Sequence, residues 1–195
     1  TFTYEESLSN AVRVNRTPRV FTANEAPPSE GIFLHNEMAQ TPIYPTRLFF
    51  FCEQAAETQG ETSLCRCDKL YDRLKEIDPD FIKACEEKGV KYTNIMPNGD
   101  NPESGQGRGW QTTLGAKNKA EAEARLKELG YSWTWLEDGS LGATSAALPA
   151  VKKLERGTSV FFNQLKHCVL DNIMCIFHAT GAKSRHVKST LFNKF

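Results

Sequence analysis

The 195 residues carry 24 Lys and Arg against 24 Asp and Glu, so no net field draws the chain to nucleic acid or to an anionic membrane. At 39% hydrophobic and 25% charged, the composition is that of an ordinary globular chain with enough material for one domain and a real core. No run approaches the ~20 apolar residues of a membrane span. The six scattered cysteines read as reduced, mostly buried thiols, which makes the cytoplasm the expected location.

In chain order, residues 1–30 are polar and turn-rich and read as a loop leading into a strand at Ile32–Glu37. The chain opens on Thr1 in what reads as mid-domain sequence, so a natural N-terminus further upstream is expected. Arg47–Glu53, with its Leu-Phe-Phe-Phe-Cys run, predicts a short strand buried on both faces, and Thr62–Cys65 another after the turn at Glu57–Gly60. Apolar residues at 70, 71, 74 and 77 predict a helix over Asp68–Ile77. Asp78 is placed to cap the next helix, with Pro79 at its first position and Gly89 at its end.

Val90–Met96 reads as a strand, Pro97–Gly109 as a loop, and Asn118–Leu129 as a solvent-facing helix closed by Gly130. Tyr131–Leu136 alternates, with Tyr131, Trp133 and Trp135 on the core face, and Glu137–Ser140 is a hairpin turn. Strands follow at Leu141–Ala147, Ser159–Asn163, Cys168–Phe177 and His186–Phe192. Many short strands with interposed helices predict an α+β, mainly β, single domain built on a jelly-roll (double-stranded β-helix) core with flanking helices.

The chemistry centres on His35-Asn36-Glu37. On an extended segment, side chains two apart point to one side, which sets an imidazole nitrogen beside a carboxylate oxygen. These are two ligands of the 2-His-1-carboxylate triad that holds Fe(II) with three positions left open. The third ligand has to be a distant histidine, with His167, His178 and His186 as candidates. Arg185 and Thr62 suit a carboxylate, the first as a permanently charged fork and the second as a hydroxyl donor. Trp110, in Gly107-Arg-Gly-Trp110, shapes a pocket or packs in the core.

These motifs resemble the taurine-dioxygenase-like, clavaminate-synthase-like branch of the Fe(II)/2-oxoglutarate dioxygenases. The similarity rests on His35-Asn-Glu37-Met-Ala-Gln40, Leu48-Phe-Phe-Phe-Cys-Glu53, Gly60-Glu-Thr62 and Gly107-Arg-Gly-Trp110, and is collinear over roughly residues 18–163. It implies that His35 and Glu37 bind iron, with Glu37 one methylene longer than the family's commoner Asp. It also implies that Thr62 contacts 2-oxoglutarate, that Asp171-Asn172 leads to His178 as the distal iron ligand, and that Arg185 anchors the far carboxylate. Trp110 and Asn163 fall at the expected substrate pocket.

The expected activity is hydroxylation or oxidation of a small molecule with O2, releasing succinate and CO2. In the family, several dozen residues separate the segment matching Phe161-Phe-Asn163 from the distal histidine, whereas Asn163 and Asp171 are eight apart. A deletion near 163–171 is therefore expected. The alternative expectation is a catalytically impaired or non-enzymatic jelly-roll protein with an incomplete iron site. The oligomeric state is open.

Overall fold

The computed structural model describes residues 6–9, 11–23, 25, 34–58, 60, 62–101, 103 and 107–165. His167, His178, Arg185, His186 and the expected strands Cys168–Phe177 and His186–Phe192 lie outside them. In chain order the elements are β1 (Asn15–Thr17), β2 (Val20–Phe21), α1 (Cys67–Ile77), α2 (Pro79–Lys88), β3 (Thr93–Met96), α3 (Trp110–Leu114), α4 (Lys119–Glu128), β4 (Ser132–Trp135), β5 (Leu141–Thr144), β6 (Val151–Lys153) and β7 (Ser159–Phe161).

One core is built on the antiparallel sheet β3-β5-β4. Leu141, opposite Met96 and Trp135, and Ala143, opposite Asn94 and Trp133, lie on the same face of the central strand and are buried. Against this face pack Trp110 and Leu114 of α3 and Ala122 and Leu126 of α4, with Tyr131, Trp133 and Trp135 along its margin. The two-residue alternation of 131–135 thus does what the sequence implies. Asn118 starts α4 by accepting from the Glu121 amide at 3.0 Å, which removes one of the amides a helix start leaves unpaired.

A second core joins α1 and α2 to the β6–β7 ribbon through Tyr71, Leu74, Ile82, Cys85, Ala150 and Phe161. Asp78 serves both helices. Its amide donates to Leu74 O at the end of α1, and its Oδ1 accepts from Phe81 N to begin α2. Gly89 ends α2 at φ +67°, and a Cβ there would meet Leu148 O at 2.4 Å. That close approach lets Val90 pair with Leu148 beside the three-stranded sheet. The expected strand Val90–Met96 is therefore paired at both ends. It is interrupted where the Tyr92 amide donates to the Ser145 hydroxyl at 3.1 Å.

Several expectations are corrected. The leading segment is not all loop, because β1 and β2 pair across a turn at Pro18-Arg19. Of the expected strand Ile32–Glu37, the described residues form no strand: 34–36 have no regular structure and 37–40 form a turn. Arg47–Glu53 is neither a strand nor buried, with Phe49 86%, Phe50 64% and Phe51 90% exposed. Its hydrophobicity specifies what the segment needs beside it, and among the described residues no strand pairs with it. Thr62–Cys65 likewise has no regular structure. The helix α3 and strand β6 went unforeseen because both are too short to show a period.

The described sheets have two, three and two strands, all antiparallel, with helices packed on the three-stranded sheet and on β6–β7, and do not trace two facing sheets of a jelly roll. No helix among the described residues is long and apolar enough to cross a membrane.

Leu126, 1% exposed, and Phe51 make a direct contrast. Urea unfolding of Leu126→Ala is expected to show a loss of about 2–5 kcal/mol. Phe51→Ser is expected to stay within about 0.5 kcal/mol of the parent. A large loss in Phe51→Ser would mean that this run is covered in the folded chain.

Candidate metal centre

Asn36, the residue between the two expected ligands, fastens their segment to the end of β7. Its Nδ2 donates to Phe161 O at 3.2 Å and to Asn163 O at 3.1 Å. Its Oδ1 accepts from Cys67 Sγ at 3.1 Å, and its carbonyl accepts from Gln164 Nε2 at 3.1 Å. Four hydrogen bonds thus bring residue 36 against the start of α1 and the segment after β7. Asn163 is itself 5% exposed. It donates to Ala150 O and accepts from Leu165 N, so it braces the second core's edge.

Directly after Asn36 the chain reverses through Glu37–Gln40. Met38 takes φ 57°, a left-handed conformation that costs a non-glycine residue roughly 1–2 kcal/mol. Burial of the Met38 side chain, at 4% exposure, and the Thr41 hydroxyl donating to Met38 O at 3.1 Å hold the turn in place. Strain of this kind is retained where the surroundings over-determine the backbone.

His35 Nε2 lies 3.6 Å from Glu37 Oε2, so the two side chains stand together, on a bend and not on the strand from which their pairing was argued. Glu37 has a second partner that the sequence did not reveal. Arg13 Nη2 donates to Oε1 at 3.1 Å and to Oε2 at 3.3 Å. Burial by itself would raise the Glu37 carboxyl. The hydrogen bond with His35 and the attraction of Arg13 and His35 outweigh it and hold the group below its ordinary value. Glu37 is therefore ionised at neutral pH. Burial instead pushes the thiols of Cys65 and Cys67 up, so neither is an activated thiolate.

An imidazole nitrogen and an ionised carboxylate side by side are a fitting half of a donor set for Fe(II). Among the described residues no group of three or more His, Cys, Asp or Glu is placed to hold a metal ion. The other expected ligand, His178, and the expected anchor Arg185 lie outside those residues. Thr62 is exposed in a stretch without regular structure. Trp110 is buried edge-on to Trp135 at 5.2 Å in the first core, its indole N–H without a hydrogen-bond partner among the described residues. A cleft of about 510 Å³ borders the turn after Glu37, lined among others by Ala39, Thr41, Tyr44, Val151 and Lys152. The Lys152 ammonium sits 3.3 Å from the Tyr44 ring centre.

A family model described as taurine catabolism dioxygenase TauD, TfdA family matches residues 4–163. The chain is 39% identical over 156 residues to a clavaminate synthase-like protein of Arabidopsis thaliana, covering 80% of this chain and 47% of the relative. It is 25% identical over 163 residues to the dapdiamide synthesis protein DdaC of Enterobacter agglomerans, covering 84% of this chain and 46% of the relative. The chain thus spans about half the length of these curated relatives.

The Asn36 bonds give a stability prediction. Asn36→Ala leaves the carbonyls of Phe161 and Asn163 short of a donor and is expected to cost about 1–3 kcal/mol in urea unfolding. A cost near zero would mean that the segment is held by other contacts.

Proposed function

The chain belongs to the TauD, TfdA family of dioxygenases, and on that premise we propose that it acts as an Fe(II)- and 2-oxoglutarate-dependent dioxygenase on a small molecule. The observation that carries the reading is the ionised Glu37 beside His35, a pair of donors suited to Fe(II) on one side of a strained, hydrogen-bonded turn. In this reading His35, Glu37 and His178 hold the metal. Thr62 and Arg185 hold the far carboxylate of 2-oxoglutarate by hydroxyl donation and a charged fork. The fold in this reading is the family's jelly roll, of which the antiparallel sheets around the site are part.

When bound, the iron supplies activation of O2 coupled to decarboxylation of 2-oxoglutarate to succinate and CO2, with oxidation of the substrate. The chain's own residues do the rest. Glu37 stays deprotonated, so it meets a cation without first releasing a proton. Asn36 fixes the backbone between the two ligands, so their separation is set before anything binds. The cleft beside the turn is of the size that holds small organic ligands.

The test is succinate formation by the purified chain in Fe(II), 2-oxoglutarate and O2. Turnover is expected to require iron. It is expected to fall in His35→Ala and Glu37→Ala by more than the roughly 10–100-fold that residues outside the ligand set control. Absence of iron-dependent turnover, even without substrate oxidation, would overturn the enzyme reading and support a non-catalytic protein with an incomplete iron site.

A further inference from the structure

We infer that Arg13 is a positioning residue for the metal centre, bonding the Glu37 carboxylate at both oxygens and orienting it so that Oε2 faces His35. The inference rests on the metal-binding reading above and extends it to a residue 24 positions upstream of the carboxylate.

Both oxygens of Glu37 accept from Arg13 Nη2, and Oε2 also faces His35. Oε1 is the closer to Arg13 Nη2, at 3.1 Å against 3.3 Å, and Oε2 faces His35 at 3.6 Å. A carboxylate that gives one oxygen to a metal still has lone pairs on the other. When such a group is part-buried, those lone pairs need a donor, and donors of this kind orient the ligand. Arg13 supplies it within an ion pair whose side chains are 12% and 19% exposed, where screening by water is weak.

Arg13 is also fixed at its far side. Nη1 donates to Thr22 O at 3.3 Å and to Ala23 O at 2.5 Å, and the guanidinium lies 5.4 Å from the Phe21 ring centre. The backbone that carries it is locked by Val14 and Thr22, with the Thr22 amide donating to Val14 O and the Val14 amide donating to the Thr22 hydroxyl, both at 2.9 Å. The β1–β2 ribbon therefore presents a planar fork, one nitrogen on its own carbonyls and the other on Glu37. Much of the entropy usually lost in immobilising an arginine is already lost in the ribbon. A lysine has one nitrogen and cannot span both sets of acceptors.

A guanidinium beside a ligand also has an opposite possible effect, since it repels an incoming dication and competes for the same carboxylate. The sign of the change on removing Arg13 separates the two. The experiment is an anaerobic Co(II) titration of the full chain followed by the visible d–d bands of the ion, for the parent, His35→Ala, Arg13→Ala, Arg13→Lys, Glu37→Gln and Arg13→Ala/Glu37→Gln. Melting curves establish that each variant folds.

The parent is expected to bind through His35, Arg13→Ala to bind about 10–100-fold more weakly with altered bands, and Arg13→Lys to fall between them. In the Glu37→Gln background, removing Arg13 is expected to change little, because the residue acts through that carboxylate. If the parent and His35→Ala titrate alike, the metal reading fails and this inference with it. If His35→Ala weakens binding while Arg13→Ala binds as tightly as the parent or more tightly, the metal reading stands and the positioning role is overturned. An unfolded Arg13→Ala leaves the decision to Arg13→Lys, whose parent-like affinity and bands would overturn the two-sided fork.

Discussion

A carboxylate withdrawn from water must be matched by positive charge or by donors, and around Glu37 this requirement organises the site. Stripping water from an ion is costly in a protein interior, so burial alone pushes the Glu37 carboxyl up. Arg13 and His35 keep it charged instead. One comes from a ribbon near the start of the chain and the other from two residues away. The carboxylate is therefore ionised and oriented before a cation arrives.

What keeps this arrangement in register is the second core. Asn36 is bonded to the carbonyls at the end of β7 and to Cys67 at the start of α1. Phe161 of β7 packs with Tyr71, Leu74 and Ile82 of the two helices. Burial of those apolar side chains fixes the strand, the strand fixes Asn36, and Asn36 fixes the two candidate ligands on either side of it. The strained Met38 turn is tolerated within the same scaffold because its side chain is buried and its carbonyl is satisfied.

Much of this was legible in the sequence where the signal is local. The caps at Asp78 and Asn118 and the core face of Tyr131–Trp135 follow from rules spanning a few residues, and the structure has each of them, whereas His35 and Glu37 meet on a bend and not by the strand alternation from which their pairing was argued. The family resemblance was equally legible, because its motifs are collinear. Arg13 was not. It is one of three arginines in the seven residues 13–19, and nothing local distinguishes the one that meets Glu37. Arg47–Glu53 was misread for a related reason, since hydrophobicity states a need for cover and only the tertiary fold states whether cover is there. Trp110 was open between a pocket and the core and is a core aromatic, while Asn163, expected at a pocket, has the contacts of a strand brace.

The central claim is that His35 and Glu37 Oε2 form a metal half-site whose carboxylate is oriented by Arg13, bonded most closely at Oε1. The most direct measurement is anomalous diffraction at the iron absorption edge from crystals loaded anaerobically with Fe(II). The account predicts a peak bonded to His35 Nε2 and Glu37 Oε2, with Arg13 still on Oε1. A peak elsewhere, or iron on Glu37 with Arg13 displaced from it, would contradict the account.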